Sequence, residues 1–257
     1  MPDDPAERPT ILTVADGFFV RQAVDTIGWV ELGGTAVVVD ALEEAHLEEE
    51  VFAAIAETLG DVPVRYLVNT HCHGDHVALN AAFARRGAEI INQRAAPVGP
   101  EGRWLEGTRR RVQILPMPGC HTPEDVVVLS PEDRAIFVGD IFGWGLINLI
   151  GRLTDASAAG IVKTHEKVIA FDAATVICGH GPVCTTGELR RWVAYFRQLI
   201  ADVVAAIAAG RTDDQIVADA APPADMADWW RFRQWKHADS VSKVVRAVRA
   251  GHLTAPP

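Results

Sequence analysis

The sequence lacks most of the features that mark secreted, membrane-bound or nucleic-acid-binding proteins. Its 257 residues include only four cysteines, Cys72, Cys120, Cys178 and Cys184. That is a poor basis for a disulfide framework, so the expectation is free thiols packing as small apolar side chains. No run approaches the ~20 apolar residues needed to cross a bilayer. The first residues are acidic and proline-rich, without the basic start and apolar core of a secretion signal. Residues 1–10 therefore read as a disordered tail, and the protein as cytoplasmic. Basic residues are outnumbered, 24 against 34 acidic ones, for a net charge of -10. This argues against binding to the phosphate backbone, so neither nucleic acid nor a membrane is an expected partner. With no short repeat and no low-complexity linker, residues 11–257 read as a single domain ending in helices.

The composition that remains, 49% apolar and 23% charged, is that of a soluble globular protein. A chain of this length buries enough surface to need no staples. Ile11–Val14, Phe18–Gln22, Gly28–Leu32 and Thr35–Asp40 are short apolar or alternating runs separated by Asp16-Gly17 and Gly33-Gly34, the pattern of hairpin-connected strands. Glu43–Leu59 carries Leu47, Val51, Phe52, Ile55 and Leu59 on one helical face. Further strands are expected at Val64–Val68, Ala88–Asn92, Val112–Pro116, Val126–Ser130, Ala135–Val138 and Thr175–Cys178. Gln93–Thr108 reads as irregular, and helices are expected at Ala156–Ala170, along the apolar stripe from Leu189 to Ile207, and within Asp225–Ala250.

One stretch stands apart. His71-Cys72-His73-Gly74-Asp75-His76 follows the Val64–Val68 strand and precedes a helical pattern. Three imidazoles and a carboxylate within six residues suit zinc or another divalent ion, and such clusters mark metal or catalytic sites. Four more polar residues each end an apolar strand: Asp40, His121, Asp140 and His180. Strand ends can converge on one edge of a pair of sheets. Five of the nine histidines fit this set; His46, His165, His237 and His252 read as surface residues.

Together these residues resemble the metallo-β-lactamase superfamily of metallohydrolases. His71, His73, Asp75 and His76 match its His-x-His-x-Asp-His motif, and His121, Asp140 and His180 match its later motifs in order. The resemblance spans about Ile11–Pro182. It implies an α+β fold, an αββα four-layer sandwich. It also implies two divalent ions, zinc first, with iron or manganese as alternatives. His71, His73 and His121 would hold one ion; Asp75, His76 and His180 the other; Asp140 would bridge them, and Asp40 would orient a ligand from behind. An aspartate at position 140 resembles the glyoxalase II, lactonase and phosphodiesterase branches, and Cys120-His121-Thr122 resembles the glyoxalase II pattern, whereas Glu124 and Asp125 depart from it. The implied function is hydrolysis of an ester, thioester or lactone in a small, partly apolar substrate. A metal-activated hydroxide would attack the carbonyl, with Asp75 as the catalytic carboxylate orienting it. Alternatives are a mononuclear iron enzyme of the persulfide dioxygenase type, a phosphodiesterase and a β-lactamase. A dimer is compatible with the sequence.

The loops say less. Ile141–Ile150 is apolar with glycine hinges and reads equally as a lip over the metals or as a buried crossover. Trp229, Trp230, Phe232 and Trp235 read as core, and Arg109-Arg110-Arg111 as a solvated turn.

Overall fold

The structure is a computed structural model that describes residues 9–257. The expected tail lies almost wholly outside the described residues; within them, Thr10 already opens a strand. The chain divides into two compact units. Of the described residues, the first comprises 9–118, 123–140 and 172–185, and the second 119–122, 141–171 and 186–257.

The first unit holds both sheets. Six strands, β1 (Thr10–Ala15), β2 (Phe18–Gln22), β3 (Thr26–Glu31), β4 (Ala36–Val39), β5 (Val64–Val68) and β6 (Glu89–Ile91), lie side by side in sequence order. The first four are antiparallel neighbours, while β4, β5 and β6 run parallel. Parallel neighbours need crossovers, and helices α1 (Glu48–Leu59) and α2 (Asn80–Arg85) lie in them. The second sheet has the order β11-β10-β9-β8-β7, formed by β7 (Arg103–Glu106), β8 (Arg111–Pro116), β9 (Val126–Ser130), β10 (Ala135–Gly139) and β11 (Thr175–Cys178). Here β10 and β11 are the parallel pair.

Side-chain alternation explains the layering. Phe18, Val20, Val30, Val37 and Val39 point from the first sheet into a core shared with Val112, Ile114, Val126, Val128 and Phe137 of the second. The opposite face of the first sheet, with Ile27, Trp29, Val38 and Leu67, is covered by Val51 and Ile55 of α1 and Phe83 of α2. Gly28 lets the sheets close: a Cβ there would sit 2.3 Å from the Phe137 ring. Two mixed sheets with helices make the expected α+β sandwich.

The second unit is helical, with α3 (Asp155–Ala170), α4 (Thr186–Ala208), α5 (Asp213–Asp219) and α6 (His237–Arg249), the last preceded by a π-turn at Phe232–Lys236. Among the described residues no helix is long and apolar enough to cross a membrane.

Several elements differ from expectation. α1 starts at Glu48, after a single tight turn at Ala45–Leu47, rather than at Glu43. Leu42 is left-handed (φ 55), and Glu43 N donates to Asp25 Oδ2 at 3.0 Å. β7 lies inside the stretch read as irregular; it is only four residues long, and Gly107 lets its turn press on Leu32. The Arg109–Arg111 run is paired rather than merely solvated: Arg109 binds Asp16 and Glu31, Arg110 the Asp16 carbonyl and Asp133, and Arg111 faces Glu132. His165 and His237 are buried, not surface residues. His165 stacks on Trp192, and His237 lies between the Tyr195 hydroxyl and the Ala220 carbonyl.

Candidate metal centre

Six of the seven expected ligands belong to the first unit, where they follow the carboxyl ends of parallel strands. In open α/β sheets this is the usual place for ligands. The His71–His76 stretch follows β5, Asp140 follows β10 and His180 follows β11. A bulge in the β10–β11 register, between Phe137 and Gly139, comes just before Asp140; bulges re-aim the side chains beside them.

Asp75, His76, Asp140 and His180 converge, each offering a ligand atom within 4.8 Å of the others. His180 Nε2 lies 3.0 Å from Asp75 Oδ2 and 3.5 Å from Asp140 Oδ1. His76 Nε2 lies 3.4 Å from Asp140 Oδ1 and 3.8 Å from Asp75 Oδ2, is fully buried, and has no hydrogen-bond partner of adequate geometry. His71 and His73 meet beside this group: His71 Nε2 is 3.0 Å from His73 Nδ1, and the His71 and His76 ring centroids are 4.1 Å apart. His121 falls in the second unit, buried, with its ring against the Asn148 carbonyl.

The residues behind the cluster fix which nitrogens face inward. His76 Nδ1 donates to Asp40 Oδ2 at 2.9 Å, which leaves Nε2 as the nitrogen that faces the cluster and would give up its proton to an ion. Asp40 is itself held by the Thr70 backbone N–H at 2.7 Å and by the Thr70 hydroxyl. His180 Nδ1 donates to the Val24 carbonyl at 3.1 Å. Asn69 donates to the His76 carbonyl at 2.8 Å and is braced by Asn80 and Asn92. Gly179 keeps the centre open, because a Cβ there would lie 2.2 Å from Asp140 Oδ1 and 2.7 Å from His76 Cε1. Thr70, Asn69 and Gly179 were not singled out from the sequence. Their only signal was adjacency, since each flanks a proposed ligand or the motif.

The electrostatics match a site built for positive charge. The hydrogen bond from His180 holds the Asp75 carboxyl down at about 2, against the opposing effect of burial. Burial pushes Asp140 up, but His76, His180 and His71 outweigh it and hold its carboxyl well below the usual range. Burial pushes His76 down, and the carboxylates of Asp40 and Asp140 more than reverse this, so it ends well above 6.5. His180 is raised in the same way by Asp75 and Asp140, against burial. These protons occupy the places that a divalent cation takes when ligands deprotonate to bind it. The donor set fits such an ion: imidazole nitrogens and carboxylate oxygens, a buried His76 Nε2 without a hydrogen-bond partner, and a space that a Cβ at residue 179 would fill.

Burial and the neighbouring Glu124 push the Cys72 thiol up, which disfavours the thiolate form a nucleophile needs. None of the four cysteines forms a disulfide. In the second unit, a cavity of about 500 Å³ is lined by Tyr195, Leu199, Val203, Ile216 and His237, and none of the seven candidate ligands lines it. The Ile141–Ile150 segment resolves mainly as core: Phe142, Trp144 and Ile147 are buried, while Ile150 is 58% exposed.

Residues 25–91 match the sequence family described as the metallo-beta-lactamase superfamily. The chain is 32% identical over 161 residues to a hydroxyacylglutathione hydrolase of Thermosynechococcus vestitus, covering 57% of this chain and 59% of that one. A protein of the same name from Rhizobium meliloti is 29% identical over 160 residues, with 58% of each chain covered. The chain thus spans under two thirds of these relatives. Among solved structures, a metallo-beta-lactamase from Pontibacter korlensis superposes with a TM-score of 0.60 at 18% identity, covering 71% of this chain and 96% of the other. A stereoselective inverting sec-alkylsulfatase from Pseudomonas sp. superposes with a TM-score of 0.70 at 12% identity, covering 93% and 50%. The sequence match to the metallo-beta-lactamase superfamily thus rests on residues 25–91, and the solved structures share the fold. The chain's curated relatives by sequence are of the hydroxyacylglutathione hydrolase, or glyoxalase II, type.

Proposed function

We propose that the chain is a metal-dependent hydrolase of a small thioester, ester or lactone, working with two divalent ions, zinc first. The observation that carries this reading is His76 Nε2, a buried nitrogen without a hydrogen-bond partner of adequate geometry, facing the carboxylates of Asp75 and Asp140. Asp75, His76 and His180 hold one ion. His71 and His73 hold the other, with His121 as the third ligand that the motif resemblance supplies. Asp140 lies between the two sets. When bound, the ions polarise the substrate carbonyl and bring the pKa of a water near neutrality.

The protein's own groups do the rest. Asp75 Oδ2, which accepts from His180 Nε2 in the metal-free site, orients the attacking water and accepts its proton. Asp40 and Val24 O fix the two imidazoles so that Nε2 of each faces the reaction. The name of these relatives, hydroxyacylglutathione hydrolase, makes a thioester the first substrate class to try. The protein would act on it in the cytoplasm.

The test is metal analysis of the purified protein combined with a panel of thioester, ester, lactone, β-lactam and phosphodiester substrates. About two ions per chain and turnover of an acyl substrate are expected. A single tightly held iron with oxygen consumption, or turnover of phosphodiesters alone, would overturn the reading.

A further inference from the structure

We infer that Lys243, Ser240 and Lys236 of the C-terminal helical segment are positioning residues for His121, acting through the Gly143–Ile150 backbone. The inference rests on the reading of His121 as a metal ligand. All the groups involved lie in the second unit.

The contact nearest the histidine is the clearest. His121 Nδ1 lies 2.5 Å from the Asn148 carbonyl oxygen, and Ile150 N donates to the His121 carbonyl at 2.9 Å. A carbonyl oxygen can only accept, so Nδ1 must carry the proton and Nε2 the lone pair. A metal ligand whose other nitrogen is fixed in this way binds as the correct tautomer. The choice of nitrogen at His121 is therefore set by where the Asn148 carbonyl points.

That carbonyl belongs to a segment with little freedom. Trp144 is left-handed (φ 54), a costly conformation for a bulky residue that persists only when its surroundings impose it. Gly145 (φ 95) lies so close to Phe232 that a Cβ would come within 2.2 Å of the ring. The π-turn and α6 then fasten the segment at four points. Lys236 Nζ donates to the Gly143 carbonyl at 2.9 Å. Ser240 Oγ donates to the Gly145 carbonyl at 3.1 Å and accepts from Ile147 N at 3.0 Å. Lys243 Nζ donates to the Ile147 carbonyl at 2.7 Å. Lys236 and Ser240 are buried. Burying an ammonium group is expensive unless it has a fixed acceptor, and here each lysine holds a backbone carbonyl of the segment. Ile147 is thus held at both its N–H and its C=O, one peptide before the carbonyl that orients His121. A helix remote in sequence from the motif sets the nitrogen that His121 presents.

The test compares wild type with Lys243→Met and Lys243→Arg. Two readouts are used: the ring tautomer of His121 by long-range ¹H–¹⁵N correlation in metal-free protein, and the Kd for Zn(II) by chelator competition. Wild type should show the Nδ1–H form. Lys243→Met should mix the tautomers and weaken Zn(II) binding about 10–100-fold, and Lys243→Arg, which keeps a donor for the Ile147 carbonyl, should restore both. Unchanged tautomer and Kd in folded Lys243→Met would overturn the inference. Should that variant fail to fold, Ser240→Ala decides by the same two readouts and the same outcomes. If wild type binds no Zn(II) while Lys243→Met still shifts the tautomer, the metal reading fails and the positioning role stands. If Zn(II) binds equally well to all variants and the tautomer stays fixed, the positioning role fails and the metal reading stands.

Discussion

Two fully buried histidines, one in each unit, show how differently one side chain can be used. His76 and His165 both have 0% exposure. Both donate through Nδ1 at 2.9 Å, His76 to Asp40 Oδ2 and His165 to the Ile161 carbonyl. In both, Nε2 lacks a hydrogen-bond partner among the described residues. Their surroundings part there. His76 faces two carboxylates and is raised well above 6.5 despite its burial. His165 lies flat on Trp192, with ring centroids 4.3 Å apart, and burial lowers it to about 4. Burial alone makes a neutral packing residue; burial beside carboxylates makes a position that demands a positive charge, whether from protons or from a cation.

The strongest way to break this contrast is to make the His76 site resemble the His165 site. Asp140→Ala removes the carboxylate nearest His76 Nε2. In the metal-free protein the His76 pKa should move down, read by NMR titration. With metal supplied, loss of a group between the two proposed ions should cost several kcal/mol of stabilisation, about 10²–10³-fold in kcat, with far-UV circular dichroism unchanged. Full turnover with both ions retained would remove Asp140 from the centre.

His165 offers the converse test. Its pKa is about 4 in the fold, against 6.5 for an ordinary histidine. The unfolded chain therefore takes up a proton near pH 6.5 and the folded chain only near 4. The stability from keeping His165 neutral is complete above 6.5 and drains away as the pH falls towards 4, by on the order of 3 kcal/mol. His165→Phe keeps a ring on Trp192 and removes the titration. Urea unfolding of the metal-free variant should lose less stability between pH 6.5 and 4 by about that amount. A pH dependence identical to wild type would mean that His165 does not titrate as its burial requires.

The same pair shows what was legible in the sequence. The His76 region was readable because its chemistry is local: four donors in six residues cannot be explained by packing. Asp40, Asp140 and His180 were readable because each terminates an apolar strand. His165 was misread as a surface residue because a histidine in a helix looks polar. Its position was nonetheless coded, since Ala158, Ile161, His165 and Val168 recur at the spacing of one helical face, and all are buried. α5 was missed although Thr212 and Gln215 form a capping box ahead of it. The clamp on Gly143–Ile147 was not readable at all. Its partners, Lys236, Ser240 and Lys243, are about a hundred residues away, and nothing in their local pattern marks a lysine that binds a backbone carbonyl.

The smallest of the expected effects sharpens the comparison from the other side of the His76 ring. Asp40 is 3% exposed and does not face the proposed ions; it acts only on Nδ1. In Asp40→Asn the Thr70 backbone N–H, a donor 2.7 Å from Oδ1, keeps the amide oxygen in that place. The amide nitrogen must then face His76 Nδ1. Two donors cannot share that contact, so Nδ1 gives up its proton and accepts, while Nε2, the nitrogen 3.4 Å from Asp140, keeps its own. The nitrogen needed for a metal is now capped, and freeing it leaves two amide-like donors opposed in a buried site. Zn(II) affinity should fall about 10–100-fold, the range for partners behind a ligand, while the melting temperature of the metal-free protein changes little compared with Asp40→Ala. The His76 tautomer in metal-free Asp40→Asn decides the mechanism: Nε2–H with weakened binding supports it, and Nδ1–H with wild-type affinity shows that Asp40 orients nothing.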